Sequence, residues 1–114
     1  MTSAGTTAGQ KNRAFDRAVE TGDLHMALAV AADMGGVDLR RATPLLRLMA
    51  TQRSPLYPRA AARWLARFAT ERKEVTPALL AQAAGALAEL ADDPDRPDAA
   101  IAELQRLCAA RRIL

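Results

Sequence analysis

The chain has 114 residues, half of them hydrophobic and a quarter charged, with a net charge of +3 and one cysteine. That length suits one domain, and so much apolar content supports a core without staples, which excludes disorder across the body. Cys108 alone excludes an internal disulfide or a multi-cysteine zinc site, and no apolar stretch approaches the roughly 20 residues of a membrane span.

Aromatics make up only 4% of the chain, and Ala and Leu carry most of the apolar content. Both are strong helix formers, whereas runs of Val, Ile, Tyr and Phe suited to strands are missing. The predicted class is therefore all-α. Residues 1–10 are mostly Thr, Ser, Gly and Ala and read as a flexible tail; residues 11–114 read as a single helical domain. The opening residues show no charged start leading into an apolar run, so no secretory signal is expected and the expected location is the cytoplasm.

Six helices are predicted in chain order. The first spans about Lys11–Thr21 with Ala14, Phe15, Ala18 and Val19 on one face, and Gly22-Asp23 ends it and caps the next. The second spans about Leu24–Met34, presents Leu24, Ala27, Leu28, Ala31 and Met34, and stops at Gly35-Gly36. Asp38 is the expected cap for a third helix reaching about Gln52, with Leu39, Ala42, Leu45, Leu46 and Met49 inward. Pro44 lies inside it, which predicts a kink or a fresh start capped by Thr43. After Ser54-Pro55, a fourth helix spans about Leu56–Lys73 and buries Tyr57, Ala61, Trp64, Leu65 and Phe68, the clearest amphipathic stripe in the chain. Thr76-Pro77 starts a fifth with Leu80, Ala83, Leu87 and Leu90 inward. A sixth runs from about Pro97-Asp98 to Arg112, carrying Ile101, Leu104, Leu107 and Cys108. Short links imply antiparallel neighbours, arranged either as stacked hairpins in an α-solenoid or as a compact bundle.

Ala18, Gly22, Asp23, Leu24, Ala27 and Leu28 follow the order small, turn, apolar, small, apolar. Residues 14–34 thereby resemble a tetratricopeptide-type helical hairpin, and Ala60-Ala61-Ala62-Arg63-Trp64-Leu65 is loosely similar to HEAT-type repeats. Phe15 departs from the small residue usual at its place in a tetratricopeptide unit, and no repeat period recurs downstream. What the resemblance implies is a surface for protein contacts and no chemistry.

Charge is segregated along the chain. From Arg40 to Lys73, nine basic residues face Glu71 alone, a net +8 in a chain whose total is +3, so the remainder sums to −5. Arg40, Arg41, Arg47, Arg53, Arg59, Arg63 and Arg67 are the candidate binding residues, and Asp92, Asp93, Asp95 and Asp98 form an acidic corner. Arg59, Arg63 and Arg67 recur every four residues and form a ridge opposite the Tyr57, Trp64, Phe68 stripe. Such a ridge can meet an acidic protein surface through bidentate pairing, or phosphates with salt-sensitive affinity, or only water. Residues 31–46 carry a partial helix-turn-helix pattern with Arg40 and Arg41 opening the second helix, but Pro44 and the lack of a leading Gln, Asn or Ser weigh against base readout.

His25 is the only histidine and has no carboxylate pair beside it in sequence, and no phosphate loop, dinucleotide fingerprint or calcium loop is present. Catalysis, cofactors, metals and a small-molecule substrate are not expected. The sequence favours an interaction module whose partner is an acidic protein surface or a second copy, ahead of a small nucleic-acid-binding accessory protein using the same ridge.

Overall fold

The computed structural model describes residues 7–109. They form six helices: α1 (Ala8–Glu20), α2 (Leu24–Asp33), α3 (Leu39–Thr51), α4 (Tyr57–Glu71), α5 (Pro77–Asp92) and α6 (Asp98–Ala109). No strand occurs among the described residues, so the class is all-α. The chain divides into two compact units, the first ending at Asp38 and the second beginning at Leu39.

The first unit is a helical hairpin. Its first helix begins earlier than the sequence reading placed it, because Thr7 and Gln10 form a reciprocal capping box. The Gln10 N–H donates to Thr7 Oγ1 at 3.1 Å and the Thr7 N–H to Gln10 Oε1 at 2.8 Å, so residues 7–10 are ordered helix start and not tail. Residues 1–6 lie outside the described residues. Helix α1 ends in a Schellman motif: the Gly22 N–H donates to the Val19 carbonyl at 3.1 Å, and the Asp23 N–H to the Ala18 carbonyl at 2.8 Å. Gly22 sits at φ +77°, a conformation that favours glycine. Asp23 then turns the chain, its carboxylate accepting from the Met26 N–H at 3.0 Å to cap α2. Phe15, Ala18 and Ala27 are buried where the two helices meet. Leu28, expected in the core, is half-buried, since Ala27 takes the line against α1 and Leu28 is turned about 100° from it.

The second unit is a four-helix bundle. Helix α3 packs on α4 and α6, α4 on α5, and α5 on α6, so the ring closes. A closed ring is a bundle and not a solenoid stack, the alternative that the sequence left open. Its core contains Leu45, Met49, Tyr57, Trp64, Phe68, Leu87 and Leu104, all buried, with Leu90 and Leu104 fully so. The Trp64 and Phe68 rings stack with centroids 5.3 Å apart and planes 14° from parallel. Leu65 and Leu80, both expected in the core, are half-buried. Leu65 lies one residue off the stripe that Trp64 anchors, and Leu80 lies in the first turn of α5.

Helix α3 continues through Pro44, and Thr43 does not restart it. The Thr43 side chain is wholly buried, and its hydroxyl donates back to the Leu39 carbonyl while accepting from Trp64 Nε1, both at 3.1 Å. One hydroxyl thus satisfies the indole N–H that burial would otherwise strand.

Candidate interaction surface

Helix α4 carries the surface that the arginine spacing singled out. Its buried face is Tyr57, Ala61, Trp64 and Phe68, at intervals of three and four residues. Arg59 and Arg63 fall on the opposite side and are exposed, while Arg67 is half-buried. Burial pushes the Tyr57 phenol up to about 12.

The seven candidate arginines divide by their partners. Arg47 pairs with Asp98 at 3.2 Å, and one Arg53 nitrogen meets both oxygens of Asp95 at 3.2 Å. These contacts join α3 to the first residue of α6, and the turn after α3 to the acidic segment that precedes α6. Arg67 pairs with Glu71 one turn further along α4 at 2.8 Å. Arg72 donates to the Cys108 carbonyl, linking the end of α4 to α6. No acidic side chain among the described residues pairs with Arg40, Arg59 or Arg63. Arg41 is half-buried in the first turn of α3.

The basic segment is therefore interrupted by carboxylates. Structure brings Arg59 and Arg63 together, about 6 Å apart along one helix face, and removes Arg47, Arg53 and Arg67 from the free set. It adds Leu56, which sequence reasoning placed only at the start of α4. Leu56 is 48% exposed, one of two large apolar side chains so open among the described residues. Its place three and seven residues before Arg59 and Arg63 puts it on their face and off the buried stripe, a signal legible in the spacing.

The other singled-out positions settle simply. His25 is exposed and Cys108 half-buried. Gly35 and Gly36 both have positive φ, at 77° and 110°, and end α2 in a second Schellman motif. The helices of the partial helix-turn-helix pattern, α2 and α3, belong to different units. Among the described residues no three metal-binding side chains gather, and no helix is long and apolar enough to cross a membrane. No protein-family model, curated protein or solved structure matches the chain, so the tetratricopeptide likeness rests on residues 14–34 alone.

Proposed function

We propose that this chain is a non-enzymatic helical interaction module of the cytoplasm, binding an acidic protein surface through the outer face of α4. Arg59 and Arg63 supply the charge and Leu56 the apolar anchor, with Arg40 a further cation in the same unit that no acidic side chain among the described residues pairs. The observation that carries this reading is the presence of Asp95, Asp98 and Glu71 on Arg53, Arg47 and Arg67. A surface that tracks phosphates needs a row of unneutralised cations, since each contact acts by releasing counterions. A protein interface accepts charge pairs at its rim and places an apolar side chain among them. In the self-association version, Asp95 and Asp98 already have partners within the chain, which leaves Asp92 and Asp93 to meet a second copy.

Two labelled probes distinguish the classes: an acidic amphipathic peptide carrying Glu and Leu, and a random DNA duplex, each titrated at about 50 and 200 mM salt. The expected result is peptide binding that Arg59→Glu with Arg63→Glu weakens by about tenfold or more and Leu56→Ser weakens less, with little duplex binding. Duplex binding that falls steeply with salt and is lost in the double variant would replace this reading with nucleic-acid binding.

A further inference from the structure

The first unit holds a groove of its own, of about 470 Å³, lined by Arg13, Ala14, Arg17, Ala18, Thr21, Asp23 and Met26. It lies wholly within residues of the α1–α2 hairpin. Ala14 and Ala18 are small and make its floor shallow-walled and apolar. Met26 is 49% exposed on the α2 side, although large apolar side chains elsewhere in the described chain are mostly covered. A thioether on an unbranched stem adapts to apolar partners of varied shape.

The α1 side of the groove is cationic. Arg13 and Arg17 are exposed, and no acidic side chain among the described residues pairs with either. Of the hairpin's acids, Lys11 takes Asp33 at 3.3 Å and the Met26 N–H holds the Asp23 carboxylate at 3.0 Å as the α2 cap, while Asp16 and Glu20 share α1 with the two arginines without pairing to either. Two guanidinium groups one helical turn apart are separated by about 6 Å along the axis. That spacing matches carboxylates at positions i and i+4 of a second helix, and arginine pairs with such carboxylates bidentately.

We infer that this groove is a second, separate binding site, for a helical acidic peptide bearing two carboxylates one turn apart and an apolar side chain beside them. The carboxylates meet Arg13 and Arg17, and the apolar side chain lies over Ala14 against Met26. Asp23 at the α2 end rejects a third carboxylate there, which sets the peptide's charge pattern. Charge complementarity selects this occupant: the groove offers two cations without acidic partners among the described residues and one apolar wall, and no row of cations long enough to follow a polyanion.

The test uses the full chain carrying Arg59→Glu and Arg63→Glu, so that the α4 face contributes nothing. A labelled helical peptide with Glu at i and i+4 and Leu between them is titrated, and the Met26 methyl resonance is followed. Saturable binding with a shift at Met26 is expected. Adding Arg13→Glu and Arg17→Glu should weaken it by about tenfold or more, as should exchanging the peptide's Glu for Gln. All four arginines are exposed or at a groove rim, and an unchanged helical circular dichroism signal confirms that the variants fold. Equal affinity for the Gln peptide, an unmoved Met26 resonance, or a shift produced by an oligonucleotide but not by the peptide would overturn the inference. Because the α4 arginines are already reversed, failure here leaves the α4 reading intact, and the converse also holds.

Discussion

Tyr57 is 6% exposed, and its hydroxyl donates to the Leu87 carbonyl at 2.7 Å, tying the first turn of α4 to α5. Burial disfavours the phenolate and raises the pKa from 10.0 to about 12 in the fold. Below about pH 10 the phenol is neutral in both folded and unfolded chains. Between about 10 and 12 the unfolded chain loses its proton while the folded chain keeps it, so stability falls as pH rises through this window. Two pKa units correspond to at most about 2–3 kcal/mol. Urea melts across that range should show the loss in the native sequence and not in Tyr57→Phe, which should cost about 1 kcal/mol at neutral pH from the lost hydrogen bond. An identical alkaline profile in both proteins would mean that the phenol is hydrated in solution. The stripe that buries Tyr57, Trp64 and Phe68 was legible in sequence from its spacing, whereas the Thr43 hydroxyl under Trp64 was not, because nothing local ties residues 21 apart.

Three helix ends use the same Schellman geometry, and their residues differ in how well they suit it. Gly22 and Gly35 fill the left-handed position after α1 and α2. After α3 the position falls to Arg53, at φ 55°, with the Arg53 N–H on the Ala50 carbonyl and the Ser54 N–H on the Met49 carbonyl. A residue with a Cβ is strained there by about 1–2 kcal/mol, and its exposed pair with Asp95 returns at most about 1 kcal/mol. Arg53→Gly and Arg53→Ala both lose the pair, but only the alanine keeps the strain. The glycine variant should unfold at higher urea, by about 1 kcal/mol of stability; equal midpoints would show that no strain is stored at this cap. Sequence reading placed the break near residue 53 from Ser54-Pro55 and missed the conformation, since arginine gives no warning of a positive φ. It also missed the capping box at Thr7 and Gln10, although that signal was present in the letters.

At the scale of the molecule, the bundle of residues 39–109 closes by bringing the acidic segment 92–98 onto the C-terminal end of α3. A net +8 segment and its counter-charge, some forty to fifty residues apart in sequence, become neighbours. Replacing Asp95 and Asp98 with Asn should free Arg53 and Arg47. Both pairs are exposed, so each loss should cost no more than about 1 kcal/mol of stability. Binding to a random duplex should then strengthen, with the log–log salt slope steepening by up to about one for each arginine released. An unchanged slope would show that these pairs do not hold the arginines in solution.

The helical class, the six helices and the inward stripe of α4 follow from the sequence by itself, because propensity, glycine and proline punctuation and the three-to-four spacing are properties of neighbouring residues. Burial at Leu28, Leu65 and Leu80 was overestimated for the same reason: spacing fixes a face of a helix but not how far the neighbouring helices cover it. The tertiary structure alone decided that α3 to α6 close into a ring, that Thr43 lies beneath Trp64, and that Arg47 and Arg53 have carboxylates while Arg59 and Arg63 have none among the described residues. Each of these depends on which distant segments meet. Ion pairing and groove formation are set by that meeting, and no local pattern encodes it.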